Sequence, residues 1–288
     1  MPASSAIERS IPWLLRVAWI AVLVAGGAAI DGAVGDVVRV TGFIGWVVGV
    51  VAMAIPAVVS LTAARIIVPL SIPVATAALL AGADGLDGSL FLATGVLATV
   101  IVFSAELGRS FVQASAYGEE DRHPLRPPAA YGAAAVVAWL LWAAAVVAAP
   151  PLLADRRWWI GVPVAVVAVA LAAFGWPRWH RMSSRWFVIV PIGLVVHDPL
   201  VLGETLMLRR QEVASIRLAP AGTEAADLTG PAAGHAIEIS TLEPATVHLA
   251  ATPKAPRGNV IHMRAGLVAP SRPGRALSAA AERRLPVG

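Results

Sequence analysis

Glu106, Arg109 and Gln113 stand three and four residues apart, which puts a carboxylate, a guanidinium and an amide on one helical face. Such a set forms either an ion pair where a helix leaves the membrane or a patch for a docking partner or lipid headgroup. An enzyme acting on lipid-linked substrates would take Glu106, or one of the run Glu119-Glu-Asp121, as its base. His197-Asp198 offers an acid–base pair, but the following Pro199 makes Asp-Pro turn chemistry the simpler use. The six histidines, at 123, 180, 197, 235, 248 and 262, show no pair at ligand spacing. No cysteine is present, so thiolate metal sites, disulfides and thiol nucleophiles are excluded. A phosphate loop, a dinucleotide fingerprint, a zinc-protease helix and a serine elbow are all missing. The expectation is a chain that is not an enzyme and takes neither cofactor nor metal.

The elements that carry these residues are dominated by apolar runs. Hydrophobic residues make up 58% of the chain, charged residues only 14%, and the mean hydropathy is +0.74. That is too apolar for a soluble domain and points to an integral membrane protein. Six stretches have the length of a bilayer crossing: 11–30, about 40–61, 66–82, 90–107, 129–149 and 158–176. The third is short and holds Pro69 and Pro73, with Ser71 between them to satisfy a freed carbonyl. A tight turn ending at Arg65 is expected to separate the second span from the third. Acidic links follow the first and third spans, at Asp31–Asp36 and Ala83–Gly88. Gly45-x-x-x-Gly49 provides a close-packing face.

With the N-terminus inside, the inner segments hold Arg9, Arg65, Arg109, Arg122, Arg126, Arg178, Arg181 and Arg185. The outer links hold Arg39, Arg156 and Arg157. This bias predicts a multi-pass protein of the plasma membrane with both termini in the cytoplasm. Net charge is +4 and the positive charge is nearly all arginine, Lys254 being the single lysine. No basic run has the density of a nucleic-acid arm, so the expected partners are membrane lipid and a protein at the cytoplasmic face.

The joint Trp176–Arg185, with Trp186 directly after it, mixes Trp176, Trp179 and Trp186 with Arg178, Arg181 and Arg185, the mixture expected where a span meets cytoplasmic headgroups. Those three arginines are the candidates for contact with anionic lipid. Beyond the joint, apolar residues alternate with polar ones. Trp186–Val190 and Leu194–His197 make a hairpin around Pro191-Ile-Gly193, and strands follow near 205–209, 213–218, 237–240, 246–249 and 260–264. Residues 219–234 and 251–258 are read as loops. A closing helix starts at Ser271 as N-cap with Pro273 in its first turn, and Leu277, Ala281 and Leu285 share one face. The domains are thus 1–178, a six-span α-helical bundle, and 179–288, a small mostly-β domain.

Trp186–His197, Arg210–Leu218 and Ala269–Leu277 resemble the corresponding parts of bacterial pleckstrin-homology-like (PH-like) domains. That resemblance implies a bent seven-stranded barrel capped by a C-terminal helix. The whole chain also resembles an uncharacterised group of actinobacterial multi-pass membrane proteins, through Tyr117–Arg122, Pro124–Pro128, His197–Pro199 and Ala226–Gly230. It implies architecture and no activity. The expected function is a membrane anchor or scaffold that presents a cytoplasmic interaction domain to a protein partner or anionic lipid. The alternative is a small-solute transporter or channel subunit built on the proline-interrupted second and third spans.

Overall fold

The computed structural model describes residues 4–30, 36–251 and 255–288, with side chains from residue 10 onward. The link 31–35, Lys254 and the Arg9 side chain lie outside the described residues. The chain forms two compact units, Met1–Phe111 with Ala135–Trp179, and Val112–Ala134 with His180–Gly288.

The first unit is helical. Six helical segments are long and apolar enough to cross a membrane: Ser10–Ile30, Asp36–Ala54, Val58–Leu80, Gly85–Val102, Ala129–Ala154 and Trp158–Ser183. The first belongs to α1 (Ser4–Ile30) and the second is α2 (Asp36–Ala54). The second and third do not divide at Arg65. The break falls at Ile55-Pro56-Ala57, because a proline withholds its N–H and turns the preceding residue away from helical geometry. Arg65 therefore sits inside α3 (Val58–Ile67). That helix runs through a 3₁₀ turn, Val68–Leu70, into α4 (Ser71–Leu80). Buried Ser71 donates its hydroxyl to the Val68 carbonyl at 2.7 Å, satisfying a carbonyl at the proline-rich turn.

The fourth span, α5 (Gly85–Val102), starts on Asp84, whose carboxylate accepts the N–H groups of Leu86 and Asp87 at 2.9 and 3.4 Å. Leu107, placed in this span by its apolar character, belongs instead to α6 (Ala105–Gln113). In the bundle α1 packs on α2, α4 and α5, α4 packs on α5, and α2 packs on α3. Trp19 and Trp46 clasp α1 to α2 reciprocally. The Trp19 indole donates to the Trp46 carbonyl at 3.0 Å, and the Trp46 indole donates to the Trp19 carbonyl at 2.8 Å. The last two spans are α7 (Ala129–Ala154) and α8 (Trp158–Ser183). Much of α2, α7 and α8 stays exposed, including Phe43, Ile44, Leu140, Leu141 and Val166, as lipid-facing surfaces require.

The second unit is built on two open four-stranded sheets. Its strands are β1 (Asp121–Pro124), β2 (Trp186–Val190), β3 (Gly193–His197), β4 (Leu206–Arg209), β5 (Val213–Leu218), β6 (Ala226–Asp227), β7 (Ile237–Leu249) and β8 (Asn259–Val268). The sheet orders are β1-β2-β3-β4 and β5-β7-β8-β6. Among the described residues neither sheet closes, so the expected barrel does not form as one continuous ladder. Outside these ladders, single bridges join Leu125 to Pro270 and Leu202 to Leu249. Phe187, Leu194, Ile216, Ile239, Val268 and Ala276 belong to one buried cluster fed by both sheets and by α9 (Pro273–Glu282).

Two strands expected at 237–240 and 246–249 are one strand, β7, whose register slips between Ser240 and Ala245. Pro244 lies in that slip, where a strand tolerates a residue without an N–H. Short β6 falls inside the segment read as a loop and pairs parallel to β8. Ser271 does not cap α9. Its N–H and hydroxyl both go to the Pro124 carbonyl, at 2.8 and 2.9 Å, and Arg272 takes the N-cap position.

The second unit also reaches beyond the expected 179–288. Residues 112–134, between the fourth and fifth spans, belong to it, and β1 pairs antiparallel with β2 from Asp121↔Ile189 to Pro124↔Trp186. Asp-Arg-His-Pro carries little strand propensity. Pairing holds it in place, with His123 buried 6.3 Å from the Phe187 ring and Arg122 lying 5.3 Å from the Trp186 ring centroid.

Candidate functional site

Among the candidate arginines, Arg185 behaves least as expected. It lies in the short link between α8 and β2, so its side chain could have turned to the headgroups. Instead it is 1% exposed and offers no face to lipid. Its Nε and Nη2 donate to the two carboxylate oxygens of Asp198 at 2.7 and 2.5 Å, and its Nη1 donates to the Arg126 carbonyl at 2.5 Å. Nη2 also reaches the Thr229 carbonyl at 3.5 Å. One side chain thereby ties together four segments: the start of β2, the turn after β3, the inter-span segment and the loop after β6. Burying the charge is tolerable because the planar guanidinium finds a bidentate acceptor and further carbonyls.

Asp198 keeps its expected turn role as well. Its side chain accepts the Leu200 N–H at 3.1 Å and its carbonyl accepts the Leu202 N–H at 2.8 Å. His197 is not its acid–base partner. The His197 ring stacks on Trp186, 4.9 Å between centroids, and its Nδ1 lies 3.0 Å from the Thr205 hydroxyl. Burial lowers its pKa from the ordinary histidine value, with Asp198 opposing and Arg122 adding to the shift.

Helix α6 carries Glu106, Arg109 and Gln113 together, as the spacing required. Glu106 and Arg109 fall in the first unit, and neither stands free of partners. Gln113 belongs to the second unit and serves its backbone. Its amide donates to the Glu120 carbonyl at 2.7 Å and its side-chain oxygen accepts the Arg122 N–H at 2.8 Å. It therefore sets the entry into β1. The run 119–121 is likewise engaged: Arg283 bonds the Glu119 carbonyl, Glu120 binds Arg122 at 2.8 Å, and Asp121 lies 3.5 Å from His123.

Arg178 and Arg181 are exposed, at the end of α8. Arg178 spends one N–H on the Phe174 carbonyl a turn earlier, at 2.6 Å, and keeps the others. Of the three arginines expected at the joint, these two alone keep exposed side chains.

No grouping of three or more metal-ligating side chains exists among the described residues. His248 and His262 are exposed, and His262 sits 3.1 Å from the Thr246 hydroxyl. A second buried acid, Glu238 in β7, takes the Thr223 hydroxyl at 2.5 Å and Arg217 at 2.7 Å. Those two hydrogen bonds, Thr223 first, lower its pKa below the ordinary carboxylate value against the opposing effect of burial.

The Arg185–Asp198 pair and the β1 pairing were the features that spacing missed. Arg185 and Asp198 are 13 residues apart, at opposite ends of a hairpin whose turn was legible, so their meeting was derivable from its register. The β1 pairing left no such trace. Comparisons of the chain with protein-family models, with curated proteins and with solved structures matched nothing.

Proposed function

We propose that the chain is a multi-pass plasma-membrane scaffold whose second unit holds a protein partner or anionic lipid at the cytoplasmic face. The observation that carries this reading is the weaving of β1 into the sheet. The β unit takes in chain both from between the fourth and fifth spans and from after the sixth. A unit built from both places is a platform that an inter-span segment helps to form, rather than a C-terminal tail alone. Strands β2 to β8 followed by α9 support the PH-like reading of that platform. Cytoplasmic sidedness rests on arginine placement. Arg109, Arg122 and Arg126 follow the fourth span and Arg178 and Arg181 stand at the end of the sixth, whereas Arg39, Arg156 and Arg157 lie at the opposite ends.

Site-specific photo-crosslinkers in the full-length protein in native membranes test the proposal. Probes at exposed Met207, His248 and Arg264 should capture one defined protein or phospholipid. Capture only from span positions such as Val136 and Val166, together with solute flux in proteoliposomes, would replace the scaffold with a transporter.

A further inference from the structure

Two arginines of the helical unit have matching surroundings. Arg16, in α1, donates from Nη2 to the Met53 carbonyl in the last turn of α2 at 3.0 Å, and its guanidinium lies 4.5 Å from the Trp13 ring centroid. Arg65, in α3, donates from Nε to the Val102 carbonyl at the end of α5 at 3.5 Å, and its guanidinium lies 5.7 Å from the Phe103 ring centroid. Donor and acceptor are 37 residues apart in both cases, so the two sets occupy matching places in successive two-span hairpins. Alternate crossing brings the starts of spans one and three to the same membrane face as the ends of spans two and four. Both rings are open to the surroundings, Trp13 at 64% and Phe103 at 55% exposure.

A helix-end carbonyl is a good hydrogen-bond acceptor but carries no full charge, and it occupies one of a guanidinium's five N–H groups. Among the described residues neither Arg16 nor Arg65 has a carboxylate partner. The carbonyl answers part of the hydrogen-bonding demand of a cation beside an apolar span, and an anion would answer its charge. The acceptor carbonyls belong to the last turns of α2 and α5, so each guanidinium lies near the level where a membrane-crossing helix ends. Guanidinium and phosphate also match in a bidentate geometry. The exposed ring beside each arginine supplies an apolar surface for the glycerol and first acyl carbons of the same lipid.

We infer that Trp13–Arg16 and Arg65–Phe103 are two equivalent phospholipid sites, each seating one lipid phosphate on the guanidinium and the lipid body on the ring. They stand apart from Arg178 and Arg181 and do not depend on the scaffold reading.

Native mass spectrometry of the full-length protein, released from micelles loaded with phosphatidylglycerol, tests this. The wild type should retain up to two lipids, with occupancy of one site falling in Arg16→Gln and in Arg65→Gln and occupancy of both falling in the double variant. Each glutamine should weaken binding about fivefold, and lysine at either position should keep most of it. Equal retention by the wild type and the double variant overturns the inference. Should the glutamine variants fail to survive purification, Trp13→Ala and Phe103→Ala, which keep both charges, must each lose one lipid. Unchanged retention there overturns it equally. Thermal stabilisation by inorganic phosphate alone, without lipid, would reassign the sites to a free anion and also end the lipid inference.

Discussion

Removing either partner of the Arg185–Asp198 pair should unfold the β unit well below the wild-type midpoint. Both side chains are shut off from solvent, at 1% and 0% exposure, and meet through two short hydrogen bonds. Breaking a buried pair from one side leaves an uncompensated charge and costs roughly 3–5 kcal/mol. Asp198→Ala also strips the Leu200 N–H of its acceptor, adding about 1 kcal/mol. Domain stabilities run at about 5–15 kcal/mol, so either loss is a large share. Pulse proteolysis of the full-length protein in micelles, across a urea series, reads the β unit directly. A double-mutant cycle with Arg185→Ala and Asp198→Ala should show a coupling of about 2–3 kcal/mol. Arg185→Lys sharpens the test, because it keeps the charge and loses the fork that spans both carboxylate oxygens. Lysine should recover only a minor part of the lost stability. Had Arg185 served as a lipid-facing charge, lysine would substitute freely and alanine would cost about 1 kcal/mol. A loss under about 1 kcal/mol for Arg185→Ala, with no coupling to Asp198, refutes the clasp.

Three further outcomes are expected. A Cβ added at Gly49 would fall 2.6 Å from the Trp19 ring, which its bond to Trp46 holds in place, while Gly45 faces open space. Gly49→Ala should therefore cost about 1–3 kcal/mol in thermal unfolding, and Gly45→Ala almost nothing. Because the Glu238 pKa is lowered in the folded state, its stabilising contribution is complete above the ordinary carboxylate pKa and fades as pH falls through the folded value. The gap between wild type and Glu238→Gln in urea midpoint should thus shrink between about pH 5 and pH 3. The lowered His197 pKa works from the other side: the unfolded chain takes up the proton first, so stability falls as pH drops below about 6.5. His197→Gln should flatten the midpoint between about pH 7.5 and 5.5.

What the sequence disclosed followed from the range over which each feature is determined. Six spans were legible because a crossing requires a sustained apolar run and little else. The hairpin of β2 and β3 was legible because Pro191 and Gly193 fix its turn locally. Arg65 misled because a charge in an apolar run looks like a boundary, whereas a long aliphatic stem lets it stay inside α3 and reach the Val102 carbonyl. Pro56, which breaks the backbone itself, was the better marker. Asp121–Pro124 was illegible for a different reason. Nothing in four mostly polar residues calls for a strand, and its partner lies more than sixty positions away. Arg185 looked like the other basic residues of the joint, and only Asp198 and the Arg126 carbonyl distinguish it.

The same long-range pairing constrains how the protein can be taken apart. A fragment beginning at His180 would keep β2 to β8 and α9 but lose β1, leaving the β2 edge unpaired and open to aggregation. It would also lose Leu125 from the buried cluster, the Arg126 carbonyl that Arg185 requires, and the Pro124 carbonyl that receives Ser271. Failure of that fragment to fold would thus say nothing against an interaction domain, because it is missing an edge of its own sheet. The pairing bears on topology too. For residues 121–124 and 186–189 to lie side by side, the chain between them must cross the membrane an even number of times, which α7 and α8 satisfy when both cross. The discordant Arg156–Arg157 pair then lies at the far end of that excursion, where the positive-charge bias alone would not have put it.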